Sequence, residues 1–305
     1  MKKGTVFKQT KIKNGKSLLF YLSKIFVISL CICACALFII SVEAASDKVK
    51  NSSSENYQQV RVYFEGEQIL KSETPLIDSV TYVPLRAYSE KMGAESVEWD
   101  ARSKTATVKK DGILIKVTDG TSFIDASGRI LYCPTQIRNI GDRLYVPIRA
   151  LSTALLIDVE WDGSSRSVLV SESQAQFVSG NKFYDANDVY WLSRIIHAEA
   201  RGEPFLGKIA VGNVVINRVK SSSYPNSVYG VIFDRKYGTQ FSPVSIGTIY
   251  NTPSAESVLA AKICLEGYTL SDEILFFVNP RYATSTWIER TRPYAFTIGG
   301  HEFYK

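Results

Sequence analysis

The segment Tyr82-Val83-Pro84-Leu85-Arg86-Ala87 returns 63 residues later as Tyr145-Val146-Pro147-Ile148-Arg149-Ala150, and Val97-Glu98-Trp99-Asp100 returns 62 residues later as Val159-Glu160-Trp161-Asp162. Two independent matches at nearly one spacing mark a duplication, so residues 60–172 must fold as two equivalent small units. Each copy runs on into alternating residues, Thr105-Ala106-Thr107-Val108 and Ser167-Val168-Leu169-Val170, which predict β-strands. Between the two motifs, Leu85 to Met92 and Ile148 to Leu155 suit a short helix. Trp99 and Trp161 are expected as core anchors rather than as sugar platforms.

After a polar linker at 173–187 the sequence changes character. Leu192, Ile195, Ile196 and Glu199 fall at i, i+3, i+4 and i+7, so a helix would place a carboxylate at the end of its apolar stripe. An unpaired carboxylate taken out of water raises its pKa, the property a general acid needs near neutral pH. Glu199 is therefore the candidate catalytic acid. Asp188 is the expected N-cap of its helix, and Gly202 with Glu203-Pro204 the stop. Helical spacing resumes from Pro204 to Lys220, a third helix is expected from Thr252-Pro253 to Gly267, and Leu275 to Val278 suits a strand. Long loops at 221–251 and 279–305 are left to form a groove.

The formal charge of +6 suggests a nucleic-acid partner until its location is examined. Seven lysines lie within residues 1–24 with no acid, followed by an apolar run from Ile25 to Ile40 and the small residues of Val42-Glu43-Ala44. That is the order of a secretory signal, with cleavage expected after Ala44; a retained membrane anchor is the alternative. Residues 45–59 then form a linker. Without residues 1–44, acids and bases balance, which removes the argument for nucleic acid. Cys133 and Cys264 alone remain among the cysteines, too few for a disulfide framework.

Family resemblances follow from particular residues. The duplicated region, with its VPLRA and WD elements, resembles the stalk-like domain named after the N-terminal region of copper amine oxidases. Neither His197 nor His301 lies in it, so copper is not implied. Residues 188–305 resemble the SleB and CwlJ cell-wall hydrolases through Ala198-Glu199-Ala200-Arg201-Gly202-Glu203-Pro204, Val214-Val215-Ile216-Asn217-Arg218-Val219, Gln240-Phe241-Ser242-Pro243, Asn279-Pro280, Ala283-Thr284-Ser285-Thr286-Trp287 and Ile298-Gly299-Gly300-His301-Glu302-Phe303. The expected fold is thus α+β, a strand-rich duplicated stalk-like domain followed by a mainly helical, lysozyme-like domain.

The resemblance implies an exported enzyme that cuts the glycan strands of peptidoglycan, in the cell wall or spore cortex, with Glu199 as acid. No cofactor or metal is expected, since two histidines and two separated cysteines are too few for a zinc site. One acid suffices for a lytic transglycosylase, whereas a water-using muramidase needs a second carboxylate that no sequence context marks. A non-catalytic wall-binding protein is the remaining alternative. Glu203 is either a rival acid or a structural residue serving backbone donors at the start of the second helix, and Arg201 could pair with either acid. Gln240, Phe241, Ser242, Asn279 and Trp287 are the substrate-binding candidates, with core packing the competing role for Phe241 and Trp287. A thiol nucleophile at Cys264 is disfavoured by its apolar helical setting.

Overall fold

The computed structural model describes residues 57–70, 74–236 and 238–305. The signal segment, its cleavage point and the anchor alternative lie outside the described residues.

One strand pairing organises the duplication. Strands Val80–Pro84 and Arg143–Pro147 run antiparallel with Val83 opposite Val146, Tyr82 opposite Pro147 and Pro84 opposite Tyr145. These are equivalent residues of the two copies, so the pairing relates the copies by a local two-fold axis. Each strand ends at its proline, which has no N–H to give to the ladder and caps the helix that follows, Leu85–Lys91 in one copy and Ile148–Ala154 in the other. The helices meet at the axis, where the Tyr88 hydroxyl lies 2.6 Å from Ser152 Oγ.

Strands Ser96–Asp100, Thr105–Lys110, Ile113–Thr118, Phe123–Ala126 and Arg129–Tyr132 form a five-stranded antiparallel meander. On the other side, Arg61–Phe64 joins the second copy by pairing parallel to Ser167–Glu172. One apolar core, including Val83, Tyr88, Val108, Val146 and Leu151, fills the space between the copies. The tryptophans do not join it. Trp99 is 45% exposed and Trp161 44%, so the expectation of core anchors is corrected at both positions.

The second part is mainly helical. Helix Ala186–Ala200 is capped by Asp185, whose side chain accepts from the N–H groups of Asn187 and Asp188; the cap is three residues earlier than expected. Helix Phe205–Lys220 follows after Pro204, and Ala255–Leu265 begins at Ser254, whose hydroxyl accepts from Ser257 N–H. These three helices pack around Gly212, where a side-chain carbon would come within 2.6 Å of Cys264 Sγ and 2.9 Å of Ile196 Cδ1. Cys264 is buried there, and burial pushes its thiol well above the ordinary range, against any nucleophilic role.

The expected loops hold more structure than their sequence suggests. Short helices occupy Val228–Phe233 and Ser242–Ile246, and residues 294–304 form a hairpin that pairs with Phe276–Val278 in a three-stranded sheet. The strand-rich and helical parts meet at Glu266. Arg129 donates to both of its oxygens, Nε to Oε1 at 3.0 Å and Nη2 to Oε2 at 2.6 Å, while the Tyr184 hydroxyl donates to Oε1 at 2.7 Å.

Candidate active site

Leu192, Ile195 and Ile196 are fully buried, as their stripe requires, and Glu199 emerges one turn later into the largest cleft described, about 1080 Å³ in volume. The carboxyl makes no hydrogen bond or ion pair with any described residue. Burial alone raises its pKa from 4.5 to about 7, because the charged form has lost water and gained no compensating partner.

The cleft brings Gln240, Phe241, Ser242, Asn279 and Trp287 together around Glu199. They arrive on separate elements: Gln240 to Ser242 at the entry to a short helix, Asn279 just past the strand Phe276–Val278, and Trp287 at the start of helix Trp287–Thr291. Trp287 is 52% exposed, meets Phe276 edge-on and has the Arg292 guanidinium over its ring at 5.1 Å. Phe241 is 2% exposed and is a core residue that only borders the cleft.

Glu203 lies outside this lining. Its Oε2 accepts from Gly300 N–H at 2.8 Å, and its Oε1 lies 3.5 Å from Nδ1 of His301, a cleft residue. The backbone donor it serves is thus in the distant hairpin and not at the helix start. Burial lowers the His301 pKa, partly opposed by Glu203, so the imidazole is neutral at pH 7. The contact leaves no room at Gly299, which has φ +59° and whose added side-chain carbon would collide with Glu203 Oε2. Gly299→Ala is expected to cost about 1–3 kcal/mol in stability, from overpacking and left-handed backbone strain, measured by urea unfolding. A change below a few tenths would show that the hairpin yields. Arg201 is exposed and pairs with neither acid among the described residues.

Sequence reasoning gave Arg218 no role beyond its place in a family motif and did not single out Asp234 among the domain's acids, yet both line the cleft. Arg218 is 6% exposed, donates from Nε to Leu275 O at 2.8 Å and leaves Nη1 without a partner. It completes the stripe of Val211, Val214 and Val215 as Glu199 completes its own, so the same signal would have found it. Asp234 also lines the cleft, and nothing in its sequence surroundings marks it.

The fold and cleft define a two-part protein, a duplicated strand-rich unit carrying a helical domain whose open cleft holds an unpaired carboxyl. The chain matches the Cell Wall Hydrolase model over residues 202–304 and the copper amine oxidase N-terminal domain over residues 63–170. It is 41% identical over 122 residues to a spore cortex-lytic enzyme of Bacillus cereus, covering 40% of this chain and 46% of that protein. With the spore cortex-lytic enzyme of Bacillus subtilis strain 168 it shares 39% over 120 residues, 39% of this chain and 38% of the other. The chain therefore spans less than half the length of these relatives. Among solved structures, the catalytic domain of the germination-specific lytic transglycosylase SleB from Bacillus anthracis is 41% identical; the match covers 40% of this chain and 97% of that one, with a TM-score of 0.37.

Proposed function

We propose that the protein is an exported enzyme that cleaves peptidoglycan glycan strands between N-acetylmuramic acid and N-acetylglucosamine as a lytic transglycosylase. The carrying observation is Glu199, a carboxyl that keeps its proton near neutral pH and faces an open cleft walled by aromatic and amide side chains. Glu199 donates its proton to the glycosidic oxygen as the bond to C1 of the muramic acid breaks. The resulting carboxylate takes the proton of the C6 hydroxyl of the same sugar, and that oxygen closes on C1 to give an internal ether. Water is not consumed and no cofactor is needed. The names of the relatives support spore cortex as the wall attacked.

Asp234 favours a second reading. A carboxylate in the same cleft could serve as nucleophile or as base for water, which would make the enzyme a muramidase. Digestion of purified cortex and vegetative peptidoglycan followed by mass spectrometry of the fragments separates the two. Anhydromuramic ends are expected; reducing muramic ends would establish hydrolysis, and release of no fragments would leave a wall-binding protein. Because Glu199 acts in its protonated form, the cleavage rate should fall as pH rises through about 7. A rate that stays flat from pH 6 to pH 9 would remove Glu199 as the acid.

A further inference from the structure

Two of the clefts in the strand-rich unit, of about 520 and 440 Å³, are two copies of one cleft. The first is lined by Pro84, Leu85, Arg86 and Trp99 of one copy together with Asn139 and Leu144 of the other. The second is lined by Pro147, Ile148, Arg149 and Trp161 together with Leu76 and Thr81. Every one of these residues is the duplication partner of its counterpart, at the 62- or 63-residue shift. Each cleft therefore needs both copies, and the two-fold axis at Val83 and Val146 generates the second from the first.

The rims have diverged while the indole has not. Asn139 stands where the other copy has Leu76, and Asp142 where it has Ser79, yet proline, arginine and tryptophan recur and both indoles remain nearly half exposed. A tryptophan retained for packing would be covered, because exposing so large an apolar surface forgoes its burial energy. An open indole beside guanidinium and carboxylate groups, joined by the Asn139 amide in the first cleft and the Ser79 and Thr81 hydroxyls in the second, suits a pyranose ring, whose C–H face lies on the aromatic surface while its hydroxyls hydrogen-bond the rim.

The charges select the same occupant. Arg86 and Arg143 stand with Glu90 and Asp142 in the first cleft, and Arg149 with Glu160 in the second, so each lining is formally neutral. Neutral linings give a polyanion or a cationic peptide no net attraction and match an uncharged sugar backbone. Repetition of the cleft fits a ligand that presents one unit many times. The two-fold reverses the second cleft end for end, so each takes its own short stretch of glycan and the pair gains by avidity on a dense wall.

We propose that the Trp99 and Trp161 clefts are paired glycan-binding sites that hold pyranose rings of the wall polymer cut by the helical domain. The choice of polymer rests on the cleavage reading above. The test uses the protein carrying Glu199→Gln, titrated calorimetrically with the N-acetylglucosamine tetramer and co-sedimented with intact peptidoglycan sacculi. Trp99→Ala or Trp161→Ala should each remove one tetramer site and the double variant two, with sacculus affinity falling at least tenfold in the double variant. Trp→Phe at either position, which keeps an aromatic face, should retain the site and so exclude misfolding. Unchanged stoichiometry and sedimentation in the double variant would overturn the proposal. Digestion by the otherwise unaltered protein separates the two readings. Cutting with tryptophan-independent binding would sink the paired sites and spare the cleavage reading, and tryptophan-dependent binding without cutting would do the reverse.

Discussion

Glu199→Gln is expected to lower peptidoglycan cleavage by about 10²–10⁴-fold, the range for loss of a positioned general acid. The amide has nearly the same shape but cannot release a proton to the glycosidic oxygen. The same substitution should make the protein more stable above neutral pH, which distinguishes loss of an acid from damage to the fold. Burial raises the Glu199 pKa from 4.5 to about 7, so between those values the folded chain holds a proton that the unfolded chain has released. Stability therefore falls as pH rises through that window, and above pH 7 the folded state carries the full penalty. At about 1.4 kcal/mol per unit, reduced because the carboxyl borders an open cleft, the penalty is about 1–3 kcal/mol. Urea unfolding of both proteins at pH 4 and pH 8.5 should show near-equality at the lower pH and the glutamine variant ahead at the higher. Wild-type cleavage by the variant would refute the assignment.

Glu266→Ala should produce the largest loss of stability, about 3–5 kcal/mol. Its carboxylate, whose side chain is 6% exposed, takes two hydrogen bonds from Arg129 and one from Tyr184. Removing it leaves a guanidinium with a 20% exposed side chain stacked at 4.0 Å on the Phe183 ring, together with a partly buried phenol, and neither has an acceptor. The cost of breaking such a pair comes mainly from the charge left behind. Glu266→Gln, which keeps an acceptor, should lose less. Unfolding within about 1 kcal/mol of the parent for the alanine variant would mean that water replaces the carboxylate and that the seam holds by packing.

The elements that sequence predicted well were those with local causes. The strands that begin at Thr105 and Ser167 were legible from their alternation and the helices after Pro84 and Pro147 from their spacing, whereas the YVP segments were read only as a repeated motif and their strands came from the structure. The helix of Glu199 was legible from its stripe, although its cap was misplaced from Asp185 to Asp188, which are both acids at its start. The hairpin at 294–304 was read as loop because its strands are short and partly exposed, so alternation is weak. Trp99 and Trp161 were misplaced for a different reason. Hydrophobicity says that a tryptophan gains by burial, but whether a groove opens beneath it depends on where the other copy lands.

The sequence by itself determined the duplication, the α+β division and the charged residue that ends an apolar stripe, because periodicity and propensity act within one segment. Tertiary structure alone decided what surrounds Glu199. Gln240, Asn279 and Trp287 reach its cleft from elements distant in the chain, Glu203 turns instead to Gly300, and Arg218 and Asp234 join the lining from two further elements. Whether a carboxyl is left unpaired in low dielectric depends on every group that packs within a few ångströms, and that environment is assembled only when the chain has folded.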